Sequence, residues 1–188
     1  MANDKLLLLF KNKNTVFTFK EIALLWQETD INSVKRKISY YVKTKKIFRL
    51  RKGIYVKDKD YNKFELATKI YKPSYISFET ALSQSGVIFQ FYSQILVASY
   101  LTREIEVDGQ KYFYRKIKGS ILTDPTGLEY KGTYWIATKE RAFLDTLYLN
   151  KNYYFDNISV LDKEKIFEIL PIYKNKSLEK RVKEIYGF

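Results

Sequence analysis

The chain has 188 residues, with 34 Lys and Arg against 21 Asp and Glu, a formal charge of +13, and neither His nor Cys. Zinc sites of His or Cys, Ser-His-Asp triads, thiol chemistry, imidazole acid–base catalysis and disulfides are thereby excluded. The length suits one domain or two small ones, and 46% apolar residues with 3 Pro and 7 Gly mark an ordered globular chain.

The apolar run Leu6 to Phe10 is too short for a signal-peptide core and leads into Lys11 and Lys13 rather than a small-residue cleavage site. The uncharged stretch Thr80 to Thr102 is interrupted by Ser83, Gln84, Ser85, Gln90, Ser93 and Gln94, so it reads as core, not as a membrane span. A cytoplasmic protein without a membrane partner is expected.

The charge is unevenly placed. Residues 1–60 hold 15 basic and 6 acidic residues, and therefore +9 of the total. Lys35 to Lys52 contains nine basic residues and no acid, within a regular apolar periodicity that a solvated tail would lack.

In chain order, residues 3–11 suit a short helix. Thr18 lies three residues before Glu21, the spacing of a capping box, and opens a second helix from Phe19 to about Gln27. After the polar break at Thr29 and Asp30, Asn32 or Ser33 can cap a third helix with Val34, Ile38, Tyr41 and Val42 as its buried stripe. Arg36, Tyr40 and Lys43 then point away from that stripe, with Ser33, Lys37 and Ser39 on its shoulders. Ile47 to Leu50 and Ile54 to Val56 read as a hairpin around Arg51-Lys52-Gly53, with Gly53 supplying the positive φ of the turn. Three helices followed by a basic-tipped hairpin is the order of a winged helix-turn-helix over residues 1–60. Ser33, Arg36 and Lys37 are the candidates for base or adjacent phosphate contacts. Lys43, Lys45, Arg49, Arg51 and Lys52 are the candidates for phosphate neutralisation, with Lys35 in the same basic run and Tyr40 on the groove-facing side.

Residues 61–188 read as a mixed α/β domain, so the fold class is α+β. A helix is expected from Asp60 to Lys72, stopped by Pro73, and another containing Phe78, Ala81 and Leu82 between a Ser77 cap and Gly86. Gln94 to Tyr100 is strand-like. Glu104 to Val107 and Gln110 to Ile117 form a hairpin around Asp108-Gly109. Short strands are expected at Ser120 to Thr123, Leu128 to Lys131 and Tyr134 to Ala137, with Asp124 to Gly127 as a turn. Thr138 caps a helix carrying Ala142, Phe143, Leu144 and Leu147, and two further helices span about Asp162 to Leu170 and Lys176 to Tyr186.

No glycine-rich phosphate loop is present. Glu104, Glu106, Asp108 and Lys111, or Asp124, Glu129, Glu140 and Asp145, could be read as loose Mg²⁺ clusters. Strand alternation and turn chemistry explain the first group, and Arg141 with Asp145 reads as an i,i+4 structural ion pair. No catalytic residue, metal or cofactor is therefore assigned.

Three segments together resemble the AbiEi-type antitoxins of type IV abortive-infection toxin-antitoxin systems. The first is the basic wing Arg51-Lys52-Gly53-Ile54-Tyr55-Val56. The second is Tyr75-Ile76-Ser77, then Ala81-Leu82 and Gly86. The third is Ala137-Thr138-Lys139-Glu140-Arg141-Ala142, followed by Asp145. Lys139 stands where that family commonly has Pro, and Phe143 where it has smaller aliphatics; residues 151–188 match less clearly. The resemblance implies a cytoplasmic repressor that binds double-stranded DNA at inverted repeats in its own promoter. It also implies a carboxy-terminal domain that opposes a nucleotidyltransferase-like toxin without a stable direct complex. A metal-dependent nuclease with a DNA-targeting module and a ligand-responsive transcription factor are the alternatives.

Overall fold

The computed structural model describes residues 2–187. The chain begins with α1 (Ala2–Lys11), β1 (Val16–Thr18), α2 (Phe19–Leu25) and α3 (Ile31–Lys43), followed by β2 (Phe48–Arg51) and β3 (Ile54–Val56). Thr18 Oγ1 accepts from Glu21 N, and the Glu21 carboxylate accepts from Thr18 N at 2.9 Å, so the expected capping box starts α2. Neither Asn32 nor Ser33 caps α3. Asp30 does, its Oδ1 accepting from Asn32 N at 2.9 Å, because the helix begins at Ile31, ahead of the first residue of the apolar pattern.

β1 lies outside the sequence expectations. It pairs antiparallel with β3, Val16 opposite Val56, and makes a three-stranded sheet in the order β1-β3-β2. Leu9, Phe17, Ile22, Trp26, Val34, Ile38, Tyr41 and Ile47 form a core of their own beneath the helices. Val16, Ile54 and Val56 on the same sheet join the larger core of the following residues, so the small sheet is buried from two directions.

The rest comprises α4 (Lys63–Ile70), β4 (Ser74–Ile76), α5 (Phe78–Gln84), β5 (Ile95–Ser99), β6 (Arg103–Val107) and β7 (Gln110–Lys116). After these come α6 (Gly119–Leu122), β8 (Leu128–Tyr130), β9 (Trp135–Ala137), α7 (Lys139–Leu149), α8 (Lys163–Ile169) and α9 (Lys176–Ile185). Two 3₁₀ turns, Ile158–Val160 and Leu170–Tyr173, join the last helices. The six strands form one mixed sheet in the order β6-β7-β5-β4-β9-β8. β4 runs antiparallel to β5 and parallel to β9, while β5 runs parallel to β7. The protein is thus α+β. The β6–β7 hairpin turns through Asp108 and Gly109 at φ 51° and 73°, the two positive values a type I′ turn requires.

Of Ser120 to Thr123, expected as a strand, the first three residues belong to the single helical turn α6 and Thr123 caps its end. Ile121 and Leu122 are adjacent and both buried, an arrangement a one-sided strand cannot give but a helical turn against the core can. Ser77 occupies the position before α5 without capping it, because its hydroxyl is committed elsewhere.

Candidate nucleic-acid interface

α3 is held from beneath by Val34, Ile38 and Tyr41, the last packed edge-on to Trp26 at 6.0 Å. Val42, expected in the same stripe, is only half-buried. Burying one face leaves Lys35, Arg36, Ser39, Tyr40 and Lys43 exposed on the other. The Tyr40 ring leans on Tyr41 at 5.6 Å and carries the Lys46 ammonium 6.0 Å above it, so this phenol is fixed within the basic surface.

The helix ends in a Schellman turn: Lys45 N donates to Val42 O at 3.0 Å and Lys46 N to Tyr41 O at 2.9 Å. Lys45 takes the left-handed position of that turn, φ 56°, where glycine is the common residue. Lys45 and Lys46 both project into solvent.

In the hairpin, Gly53 stands at φ 78° and the register slips between Arg49 and Arg51. The resulting bulge separates the two arginines. Arg49 and Lys52 are exposed, whereas Arg51 is half-buried and its charge acts on the Tyr114 hydroxyl, opposing the upward push of burial there.

Ser33 and Lys37 are held by a carboxylate. Glu28, in the turn between α2 and α3, accepts from Ser33 Oγ at 2.5 Å, from Lys37 Nζ at 2.6 and 2.8 Å, and from Lys5 Nζ of α1. Lys37 first, then Lys5 and Ser33, pull its carboxyl down to about 2, so it is ionised through the neutral and mildly acidic range. No local signal marks Glu28: its partners lie 5 and 9 residues later and 23 earlier, and meet only through the α2–α3 crossing. Lys46 was within reach of sequence reasoning, as a member of the basic run next to Lys45.

Of the ten predicted contact residues, the structure leaves Lys35, Arg36, Tyr40, Lys43, Lys45, Arg49 and Lys52 exposed, half-buries Arg51, and engages Ser33 and Lys37 with Glu28.

Two polar networks fix the frame behind this surface. At the junction of the two sheets, Glu65, fully buried, accepts from Thr15 N at 2.9 Å and Thr15 Oγ1 at 2.7 Å, and pairs with Lys69 at 2.9 Å. Lys69 also meets Glu21 at 3.1 Å and donates to Val16 O, so α4 is joined to β1 and α2 by one ammonium. Deeper in, Arg141 and Asp145 are wholly buried and paired at 3.3 Å. Asp145 accepts from Tyr75, Ser77 and Tyr173 at 3.0, 2.8 and 2.7 Å. Arg141 donates to Tyr75 Oη at 3.0 Å, Ile121 O at 2.7 Å and Thr126 O. Burial pushes the Asp145 carboxyl upward, and Arg141 with the three hydroxyls opposes it. Tyr75 and Ser77 of one sequence segment thus meet Arg141 and Asp145 of another at a structural centre, and the expected i,i+4 ion pair is present.

Among the described residues, no group of three or more carboxylates lies placed to hold a metal ion, and no helix is long and apolar enough to cross a membrane. No protein-family model and no curated protein matches this chain.

Proposed function

We propose that this chain is a non-enzymatic, sequence-specific DNA-binding antitoxin and autorepressor. In this reading residues 1–60 act as a winged helix-turn-helix that places α3 in the major groove of inverted repeats in the protein's own promoter. Residues 61–188 form the antitoxin-type domain that opposes a nucleotidyltransferase-like toxin in the cytoplasm without a stable complex. The observation that carries the reading is the surface of α3, its terminal turn and the hairpin, where seven cations are exposed: Lys35, Arg36, Lys43, Lys45, Lys46, Arg49 and Lys52. No acid lies between residues 35 and 52 to oppose them. The likeness of the wing and of the two buried-network segments to the AbiEi-type family supplies the antitoxin half of the proposal.

Titration against the upstream duplex and a scrambled duplex at two salt concentrations, with and without Mg²⁺, tests it. Tight, salt-dependent preference for the upstream duplex without cleavage is expected, and Arg36→Ala should reduce that preference by about 1–3 kcal/mol if it makes a bidentate base contact. Equal weak binding to both duplexes would refute sequence-specific recognition, and Mg²⁺-dependent cleavage would refute the non-enzymatic reading.

A further inference from the structure

Where α4 meets the β8–β9 hairpin, two hollows open side by side, and Tyr134 lines both. One, of about 570 Å³, has Lys69, Lys72, Tyr130 and Trp135 in its walls. The other, of about 620 Å³, has Lys63, Phe64, Phe91, Tyr92 and the amides of Gln94 and Gln110. Each has a volume suited to a base with its sugar. The α4 residues facing them, Phe64 and Lys69, are five apart in sequence, so the hollows are offset by roughly 7 Å along the helix.

Three of the rings here are open to solvent, while Phe64, Tyr92 and Tyr134 are partly buried against the core. Phe91 is 91% exposed, Tyr130 55% and Trp135 44%. The Tyr130 and Trp135 rings lie 5.1 Å apart at 44°, and Phe64 supports Tyr134 at 5.5 Å. The charged wall residues are Lys63, Lys69, Lys72 and Glu21, and Glu65 behind the wall pairs with Lys69, so three cations face two carboxylates. Lys69 is buried and paired, but Lys72 remains mostly exposed beside Glu21 at 3.2 Å, and Lys63 faces Gln110 at 3.3 Å. Exposed rings, an excess of one cation and neutral amides across two adjoining hollows match an anionic polymer whose flat units are free to stack. A duplex offers no free base faces, so the strand must be single.

We propose that these hollows bind single-stranded nucleic acid, with bases stacked on Trp135 and Phe91 beside Tyr134, and phosphates met by Lys63 and, on displacing Glu21, by Lys72. The site is separate from the α3 surface and stands whether or not duplex recognition is upheld.

Tryptophan fluorescence of the full chain reads the groove directly, because Trp135 is exposed while the only other tryptophan, Trp26, is 4% exposed in the amino-terminal core. Ten-nucleotide oligouridylate and oligothymidylate serve as probes and separate RNA from DNA as the source of the strand. Saturable quenching by at least one is expected, weakening as salt rises. In fluorescence anisotropy with a labelled oligonucleotide, Trp135→Ala and Phe91→Ala should each weaken binding about tenfold. Phe91 is so exposed that its substitution leaves the core intact, and circular dichroism checks the fold of both variants. Absence of saturable quenching with either probe, or unaltered affinity in both variants, would overturn the assignment.

Discussion

Lys37 donates to both oxygens of Glu28 at 2.6 and 2.8 Å, so a phosphate must displace a carboxylate to reach it. A cation already neutralised releases no counterion when DNA arrives. Lys37→Met should therefore leave the salt dependence of duplex binding unchanged, whereas Glu28→Gln should free Lys37 and steepen the slope by about 0.9 for that cation. A loss of slope in Lys37→Met would return Lys37 to the phosphate contacts. The same carboxylate has a pH signature. Its pKa is depressed from 4.5 to about 2, so its contribution to stability is complete above 4.5 and is lost as pH falls towards 2. Thermal melts at pH 7, 4 and 2.5 should show the gap between the parent and Glu28→Gln closing over that window.

At the scale of elements, Lys45 sets local stability against surface charge. Its φ of 56° favours glycine, so Lys45→Gly should raise stability by about 0.5–1 kcal/mol in denaturant unfolding while weakening duplex affinity. Falling stability would show that the lysine side chain packs where the backbone geometry gives it no reason to. Gly127 is the opposite case. It stands at φ 74°, and a Cβ there would come within 2.8 Å of Ile169 Cδ1 and 2.9 Å of Arg141 Cβ. Gly127→Ala should cost about 3 kcal/mol, from backbone strain and overpacking together, read as a lower midpoint in urea. The features legible in the sequence were those whose determinants lie within a few residues: the Thr18 and Glu21 box, the Asp108-Gly109 turn, the Thr138 cap. β1 and α6 were not, because three or four residues take their conformation from distant partners, Val56 for Val16 and the core beneath Ile121. The basic surface was visible as a run of charge. Which of its members were already engaged depended on Glu28, and the half-burial of Arg51 on the larger fold around it.

For the whole molecule, Lys69 is the joint between the sheet beneath α3 and the larger sheet. Lys69→Met should destabilise by about 3–5 kcal/mol, since it leaves Glu65 buried without its cation. Unfolding followed separately by Trp26 and Trp135 emission, in Trp135→Phe and Trp26→Phe backgrounds, should show the two probes parting in this variant. Coincident transitions with unchanged midpoint would mean that the apolar contacts of Val16, Ile54 and Val56 suffice to join the halves.

The strand order also sets a timetable during synthesis. β4 lies near the middle of the larger sheet, yet its partner on one side, β9, is made 60 residues later, with Ile76 opposite Ile136. At ribosomal speeds of roughly 5–20 residues per second, β4 leaves the ribosome about 3–12 seconds before its neighbour exists. The helices and hairpin of the first 56 residues need no such wait for their own pairings. A nascent chain can thus display its basic surface while the remainder is still an open sheet with an unpaired strand, a period in which a chaperone has an edge to hold.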